Sequence, residues 1–245
     1  ALEKLGATIE LAEGYISASA PKGLIGTEIT FDKVSVGATE NILMAATLAK
    51  GTTILQNAAR EPEVSDLANC LVAMGAKIEG IGTGTLTIEG VDKLHGAEYS
   101  IIPDRIEAGT YMIAAAITNG DVEILGSRLD IMHSTIEKLK EAGILCEETT
   151  KGIRIRRAGN NIQPVNATTQ AYPGFATDMQ AQFMALMSVA NGTSTIHETI
   201  FENRFMHVSE LTRMGANIHV NGRTATVIGV TDLTGAEVMA TDLRA

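Results

Sequence analysis

The chain has 245 residues, of which 45% are hydrophobic and only 4% aromatic, with no tryptophan. This composition supplies a sizeable aliphatic core and excludes an intrinsically disordered protein. The formal net charge of −10 argues against a nucleic-acid partner, which would favour a basic surface. An anionic small ligand would need local cations and helix N-termini to hold it against this charge.

Neither a membrane span nor a secretion signal is visible in the sequence. No stretch of about 18 residues is uninterruptedly apolar, and the first residues lack a basic run followed by an apolar segment. The two cysteines, Cys70 and Cys146, have no CxxC spacing and fit a reducing compartment without disulfide bonds. We therefore expect a cytoplasmic protein without membrane or nucleic-acid partners.

Short segments centred on a glycine recur along the whole chain. The glycine is Gly6 in KLGATIE, Gly75 in AMGAKIE, Gly143 in EAGILCE and Gly215 in RMGANIH, at intervals of 69, 68 and 72 residues. Two other glycine-centred segments recur in the same phase. This self-similarity predicts a repeat protein with a unit of about 70 residues.

The first complete unit is predicted, in chain order, to contain two helices and several short strands. An apolar helix, ENILMAATLA at 40–49, has no polar face and belongs in an interior. Gly51 follows it where a left-handed C-cap is expected, and the strand TTILQNA comes next. A second helix at 61–75 has Pro62 in its first turn. Two alternating strands, in AKIEG and TLTIEGV, follow.

The later units repeat this order. The matching apolar helices are TYMIAAAIT at 110–118 and QAQFMALMSVA at 180–190, with Gly120 and Gly192 as the expected C-caps. Alternating strands have one solvent-facing side, so the simplest packing places the sheets outside and the apolar helices inside, parallel to one another. We predict an α/β (α+β) fold: an inside-out α/β barrel of repeated βαβαββ units.

The two ends of the chain fall within units rather than between them. The chain begins at the end of a second helix, and residues 236–239 are predicted to form a strand before a helix that begins at Thr241–Asp242. We therefore expect the chain to be an internal fragment of a longer protein.

Each apolar helix begins at a polar cluster, and these clusters span 32–40, 103–109, 174–182 and 240–245. Helix N-termini carry unpaired N–H groups and about half a positive charge. Parallel inner helices would bring these ends together and form an anion site with Lys33, Arg105 and Arg244 beside it. The alternative is that Asp and Ser in the clusters only cap the helices.

The segment TIFENRFMHVSEL at 199–211 contains a second candidate ligand. The planar guanidinium of Arg204 can bind phosphate or carboxylate through two hydrogen bonds. The alternative is a structural salt bridge from Arg204 to Glu202 or Glu210. His207 is predicted to be a surface or packing residue rather than a catalyst.

No cofactor and no metal site is predicted. The sequence lacks the glycine-rich nucleotide loops, and its five histidines lack metal-ligand spacing with cysteines or carboxylates. Cys70, on a predicted helix, and Cys146, on a predicted strand, are expected to be packing residues rather than nucleophiles.

Six motifs, in order, resemble the UDP-N-acetylglucosamine enolpyruvyl transferase (1-carboxyvinyltransferase) family: DKVSVGAT, QNAAREPEVSD, PDRIEAGT, TDMQAQF, FENRFMH and ATDLRA. The resemblance implies two domains, each of three βαβαββ units around buried parallel helices. Residues 1–102 would be the later part of the first domain and residues 103–245 most of the second. The family's cysteine-bearing loop and its last unit would lie outside this chain, so the chain alone is expected to be inactive.

The resemblance implies a bacterial, cytoplasmic transferase of peptidoglycan synthesis and cell wall biogenesis. Its partners would be two small-molecule substrates, phosphoenolpyruvate and UDP-N-acetylglucosamine. The reaction that the resemblance implies would add the sugar 3′-hydroxyl to C2 of phosphoenolpyruvate while C3 is protonated, and the tetrahedral intermediate would then lose phosphate and a proton.

The same resemblance assigns roles to individual positions. Asp178 matches the candidate base near the sugar 3′-hydroxyl, and Asp242 lies near the reacting centre. Arg204 and Arg244 match ligands of phosphoenolpyruvate or phosphate. The implied contacts to the nucleotide are Lys33, Val34, Ser35 and Val36. Ile200 is the implied main-chain contact to the sugar nucleotide. Asp104 and Arg105 fall at implied interdomain or closure positions.

Two other functions stay open from the sequence. The shikimate-pathway enolpyruvyl transferase shares the fold and the reaction, although the FENRFMH and TDMQAQF segments do not suggest it. A non-catalytic repeat scaffold or ligand-binding fragment is an alternative of a different class. Exposed apolar surface on a fragment would also favour self-association.

Overall fold

The strands and helices follow the predicted repeat in a computed structural model that describes residues 1–240 and 242. The chain divides into two units, Ala1–Ile102 and Pro103–Ala245. Each unit has its own hydrophobic cluster, and each is described by itself.

The first unit opens with a hairpin and then contains one full repeat. The hairpin strands β1 and β2 pair antiparallel, and the repeat continues as strand, helix, strand, helix, strand, strand. Its sheet has the order β3-β4-β6-β5, with only the β3–β4 pair parallel. The elements are β1 (Thr8–Ala12), β2 (Tyr15–Ser19), β3 (Glu28–Thr30), α1 (Val36–Ala46), β4 (Thr52–Gln56), α2 (Pro62–Ala73), β5 (Lys77–Glu79) and β6 (Thr85–Glu89).

The second unit contains two further repeats. The first is α3 (Arg105–Ile117), β7 (Val122–Leu125), α4 (His133–Glu141), β8 (Ile144–Glu148) and β9 (Gly152–Arg157). The second is β10 (Ala167–Thr168), α5 (Gln180–Met187), β11 (Thr193–His197), α6 (His207–Arg213), β12 (Asn217–Asn221) and β13 (Thr224–Ile228). Short 3₁₀ turns at Leu129–Ile131 and Thr177–Met179 precede α4 and α5.

The three sheets share one topology. The order β10-β11-β13-β12 repeats the order β3-β4-β6-β5, and β7-β9-β8 is the same sheet without its parallel first strand. The predicted α/β fold and the predicted order of elements are confirmed in the two four-stranded repeats. The strand predicted at 236–239 is wrong, because this segment forms no ladder with any strand of the described residues.

Alternating side chains give each sheet a buried and an exposed face. In β9, Ile153 and Ile155 are fully buried while Arg154, between them, is exposed and paired with Asp121. This period of two is the expected pattern for a half-buried antiparallel strand. The buried isoleucines contribute to the cluster that also contains Met112 and Phe183 of the apolar helices.

The apolar helices α3 and α5 run parallel and pack closely. Near their N-termini, a Cβ atom on Gly109 would lie 2.8 Å from the Sδ and Cε atoms of Met179. Near their C-termini, Ile117 and Val189 line the same pocket. The absence of a side chain at Gly109 therefore permits the close approach of the two helix N-termini.

The predicted helix caps are wrong in their position. The C-caps of α1 and α5 are Thr47 and Ser188, both in the right-handed conformation, and Gly51 and Gly192, with positive φ angles of 90° and 147°, follow four residues later. In the middle repeat the left-handed residue is Asn119, with φ of 55°, and not Gly120. Asn tolerates this conformation because its short polar side chain can hydrogen-bond locally.

Within the described residues, no helix is both long and apolar enough to cross a membrane.

Candidate functional site

Arg204 lies at the centre of a buried polar cluster in the second unit. Its Nε and Nη2 donate to the two carboxylate oxygens of Asp242 at 3.1 and 3.0 Å. Its Nη1 donates to Asp178 Oδ1 at 2.7 Å and to Thr177 Oγ1 at 3.1 Å. The guanidinium carbon lies 5.3 Å from the ring centroid of Phe201. This planar, doubly paired arrangement is one that Arg can form and Lys cannot.

The charged groups of this cluster are one guanidinium and two carboxylates, which differ in their exposure. The Arg204 side chain is 7% exposed, Asp242 is 10% exposed and Asp178 is 36% exposed. Burial alone would lower the pKa of Arg204, but hydrogen bonds from its guanidinium to Asp242 and Asp178 raise that pKa above its ordinary value. Arg204 therefore stays charged, and Asp178 is the carboxylate that a ligand from solvent can reach.

The short helix start before α5 positions Asp178. Residues Thr177–Met179 form a 3₁₀ turn that leads directly into α5. Gln180, the first residue of α5, donates from Nε2 to the backbone carbonyl of Arg204 at 3.1 Å. The start of α5 therefore binds the backbone of Arg204 through Gln180, and the turn before it binds the side chain of Arg204 through Thr177 and Asp178.

A second buried carboxylate, Glu198, closes the other side of the cluster. Glu198 is 1% exposed and follows β11 directly. Its Oε1 accepts from Thr169 Oγ1 at 2.8 Å, from the Ile200 N–H at 2.8 Å and from the Phe201 N–H at 3.1 Å. Its Oε2 accepts from Thr177 Oγ1 at 2.9 Å.

The structure brings together only some of the predicted site residues. Asp178, Arg204 and Asp242 form the cluster described above, and Ile200 lies in the loop that Glu198 holds. Arg244, predicted as a second arginine ligand, lies outside the described residues. The alternative salt bridges for Arg204 are wrong: Glu202 pairs with Arg223 at 3.1 Å, and Glu210 pairs with Arg213 at 3.4 Å.

The polar clusters at α1 and α3 contain true helix caps. Ser35 Oγ accepts from the Ala38 N–H at 3.3 Å at the start of α1. Asp104 Oδ1 accepts from the Ile106 and Glu107 N–H groups at 2.7 and 3.1 Å at the start of α3. Asp178 differs from both because no side-chain cap bond is made at the start of α5.

The remaining predicted residues lie near these caps. Lys33, Val34 and Ser35 are exposed, and Val36 is the first, partly buried residue of α1. In the second unit, the Arg105 guanidinium carbon lies 5.9 Å from the ring centroid of Tyr172. The nucleotide-binding and closure roles of these residues stay predictions.

His207, the first residue of α6, lies close enough to the cluster for the charges of Asp242 and Arg204 to affect its pKa. Both of its ring nitrogens are buried and have no hydrogen-bond partner among the described residues. Burial lowers the pKa of His207 to about 4, the negative charge of Asp242 opposes that shift, and Arg204 adds to it. The imidazole is therefore neutral at physiological pH, which fits the predicted packing role.

Cys146 does not have the environment of a nucleophile. Cys146 is buried in β8, and burial raises the pKa of its thiol to about 11. Cys70 is half-buried in α2. Among residues 1–240 and 242, no group of three or more His, Cys, Asp or Glu side chains could hold a metal ion.

A separate pocket of about 720 Å³ lies at the opposite ends of α3 and α5. Arg157 lines it and donates to the Ala116 and Ile117 carbonyls at 2.6 and 2.7 Å. These carbonyls belong to the C-terminal turn of α3 and have no hydrogen-bond donor within the helix, so Arg157 supplies a donor to each. The pocket does not include Arg204 or Asp178, and we place no chemistry there.

The fold is that of the enolpyruvyl transferases. The chain is similar to the enolpyruvyl transferase NikO from Streptomyces tendae, with a TM-score of 0.83 and 25% identity, over 93% of this chain and 57% of that one. EPSP synthase from Acinetobacter baumannii has the same fold, with a TM-score of 0.65 and 20% identity, over 93% of this chain and 55% of that one.

Sequence comparison gives the family. The chain belongs to the EPSP synthase (3-phosphoshikimate 1-carboxyvinyltransferase) family, whose model matches residues 1–245. Two similar relatives, from Paramagnetospirillum magneticum and Sphingopyxis alaskensis, are each named UDP-N-acetylglucosamine 1-carboxyvinyltransferase and are 62% and 63% identical over 245 and 246 residues. The chain is covered completely in both and spans 57% of their length. The resemblance drawn from the six motifs is therefore confirmed.

Proposed function

We propose that the protein transfers the enolpyruvyl group of phosphoenolpyruvate to the 3′-hydroxyl of UDP-N-acetylglucosamine and releases phosphate. The observation that carries this proposal is the buried cluster in which Arg204 pairs with both Asp178 and Asp242. Supporting it are the names of relatives about 60% identical to the whole chain. The reaction would supply a precursor for peptidoglycan synthesis in the bacterial cytoplasm.

Asp178 is the proposed general base. It is the more exposed of the two carboxylates on Arg204, so a sugar hydroxyl can approach it from solvent. A base must lie within about 3 Å of the proton that it removes. The hydroxyl oxygen would bond to C2 of phosphoenolpyruvate while a proton adds to C3, and the tetrahedral intermediate would then lose phosphate and a proton.

Arg204 and Asp242 are proposed to lie beside the phosphate group of phosphoenolpyruvate. Two carboxylates around one guanidinium leave a local charge of −1, so an anionic substrate needs further positive charge. We assign that charge to Arg244. Cations fixed beside the leaving phosphate would stabilise the negative charge that develops in the transition state.

The other residues are proposed to bind the sugar nucleotide and to couple the domains. Lys33, Val34, Ser35 and Val36 would hold the nucleotide, and the backbone at Ile200 would contact the sugar. Asp104 and Arg105 would act in domain closure. Residues 1–102 and 103–245 would belong to the first and second domains of an enolpyruvyl transferase.

The proposal is tested by phosphate release from the full-length protein. Phosphoenolpyruvate is supplied with UDP-N-acetylglucosamine or, in a parallel assay, with 3-phosphoshikimate. We expect turnover with the nucleotide sugar and none with the shikimate. The opposite preference would identify the shikimate-pathway reaction, and binding of both substrates without turnover would favour a non-catalytic scaffold.

Self-association of the 245-residue chain is a further proposal. The hairpin β1–β2 exposes Leu11, Tyr15 and Ile16 to solvent. Exposed apolar side chains grouped in this way favour association. Sedimentation velocity at increasing concentration is expected to show dimers or larger species, and a constant monomer would contradict the proposal.

A further inference from the structure

We infer that Glu198 is a positioning residue that orients Arg204 through the hydroxyl of Thr177. This inference rests on the proposed function, because it assigns a task to a residue beside the proposed reacting groups. Glu198 forms no hydrogen bond or ion pair with Arg204 itself. The Thr177 hydroxyl joins the two, with Glu198 Oε2 at 2.9 Å on one side and Arg204 Nη1 at 3.1 Å on the other.

The direction of each hydrogen bond follows from the chemistry of the groups. A guanidinium can only donate, so Thr177 Oγ1 must accept from Arg204. An ionised carboxylate can only accept, so the single hydroxyl proton of Thr177 must point to Glu198. The Glu198 carboxylate therefore orients the Thr177 hydroxyl so that an oxygen lone pair of Thr177 faces the guanidinium. The same Nη1 atom of Arg204 also donates to Asp178 at 2.7 Å.

Glu198 is itself held rigidly. It is 1% exposed and accepts four hydrogen bonds, two of them from backbone N–H groups. No Lys, Arg or His of residues 1–240 and 242 forms an ion pair with it. Burying an unpaired carboxylate is costly even when it is hydrogen-bonded, which argues that the group is present for more than packing.

The repeat offers an internal comparison, because the turn after the equivalent strand does not require a carboxylate. The Glu198 N–H donates to the Arg223 carbonyl at 2.8 Å as β11 ends. In the preceding repeat, Gly126 makes the same bond to Lys151 at 2.8 Å without any side chain. In the first unit the residue directly after β4 is Asn57, whose Nδ2 donates to the Phe31 carbonyl at 2.8 Å. A glycine or a neutral amide therefore meets the structural need of the repeat at this position, and a carboxylate is not required.

Two substitutions separate this role from a general loss of packing. Thr177→Val removes the hydroxyl while keeping the shape, and Thr177→Ser is the matched control that keeps the hydroxyl. Glu198→Gln keeps one oxygen for Thr169 and the backbone N–H groups but places an NH₂ donor opposite Thr177. The bond to Thr177 is then reversed, and the hydroxyl no longer has its acceptor.

The first measurement is steady-state turnover of the full-length protein. We expect Thr177→Val and Glu198→Gln each to raise KM for phosphoenolpyruvate about tenfold, the effect of one lost hydrogen bond to a charged group. Because both act on one link, the double variant should be no worse than the more affected single variant. Thr177→Ser should stay within about threefold of the parent protein. Effects that multiply in the double variant would overturn the inference.

The second measurement does not depend on activity. The Nε–Hε resonance of Arg204 in a ¹⁵N spectrum, assigned with Arg204→Lys, reports the guanidinium environment directly. It should move to the same position in Thr177→Val, Glu198→Gln and the double variant, and stay in place in Thr177→Ser. If the parent protein has no turnover, the proposed function fails and this resonance still decides the role of Glu198. An unmoved resonance in Thr177→Val rejects that role, even if Glu198→Gln does not fold.

Discussion

Arg204 and Asp178 form a salt bridge of 2.7 Å between residues 26 positions apart in the chain, one almost fully buried and the other partly open to solvent. The buried partner is held from several sides, because Asp242, Thr177 and Gln180 also bond to its side chain or backbone. The carboxylate of the exposed partner, Asp178, is therefore paired with a guanidinium that is itself held in place. This asymmetry separates an anchor, Arg204, from the proposed reacting group, Asp178.

Replacing the anchor is expected to reduce turnover strongly. The Arg204→Lys variant keeps the charge, but an ammonium group cannot pair with Asp178 and with both oxygens of Asp242 at once. We expect kcat/KM for phosphoenolpyruvate to fall about 100-fold or more in steady-state assays, since more than one charge-assisted bond is lost. Arg223→Lys is the control, because Arg223 makes a half-exposed pair with Glu202 of the kind that contributes little. Equal effects in the two variants would contradict the anchor role.

Removing the proposed base should abolish turnover without unfolding the protein. Asp178→Ala removes the carboxylate, and Asp178→Asn keeps its shape and an oxygen that can accept from Arg204. A general base contributes about 10²–10⁴-fold to a rate, so we expect both variants to lose activity to that extent. Circular dichroism should be unchanged, and the Asn variant should still bind the sugar nucleotide in calorimetry. Near-normal turnover of the Asn variant would reject Asp178 as the base.

Local patterns predicted the fold well because the repeat elements are specified by nearby residues. The apolar helices, Pro62 at the start of α2 and the alternating strands were each readable within a short window. The segment at 236–239 has the same alternation and forms no strand among the described residues. Strand formation needs a pairing partner, which a local pattern does not contain.

The cluster itself could be predicted only in part. The planar guanidinium of Arg204 predicted an anion ligand, and the alternative was a salt bridge to the nearby Glu202 or Glu210. Its real partners, Asp178 and Asp242, are 26 and 38 residues away in the chain. Glu198 and Thr177 were missed, since a Glu after a strand and a Thr before an Asp carry no signal until the tertiary structure brings them together.

The close approach of α3 and α5 predicts a stability effect at Gly109. A methyl group there would meet Met179 at 2.8 Å, and Met179 is fully buried. Overpacking costs about 1–3 kcal/mol, partly offset by about 1 kcal/mol of helix propensity gained with alanine. We expect Gly109→Ala to lower the free energy of urea unfolding by about 1 kcal/mol.

The matched control for this substitution is Gly37→Ala in α1. A methyl group at Gly37 has no neighbour within 4 Å, so only the propensity gain applies. Gly37→Ala should therefore be neutral or slightly stabilising. Because Met179 follows Asp178 directly, Gly109→Ala should also lower turnover. A Gly109→Ala protein as stable as Gly37→Ala would show that Met179 moves aside without cost.

His207 predicts a pH dependence of stability. The folded-state pKa of about 4 lies below the ordinary histidine pKa of about 6.5. Between these values the unfolded chain binds a proton at this position and the folded protein does not. The free energy of unfolding therefore falls as the pH drops through this window. Integrating the linkage gives a loss of about 2 kcal/mol between pH 7 and pH 5 from this residue.

The test compares urea unfolding of the parent protein and His207→Phe at both pH values. Phe has a similar ring and no nitrogen to leave unpaired, whereas the neutral imidazole buries an N–H without an acceptor among the described residues. We expect the variant to gain about 1 kcal/mol at pH 7, the cost of one unsatisfied buried donor, and to gain more at pH 5. His219→Phe makes the same substitution at an exposed position of β12 and should keep the parent's difference between the two pH values. If His207→Phe also keeps that difference, the imidazole gains a proton or a partner in the folded state, and its packing role is wrong.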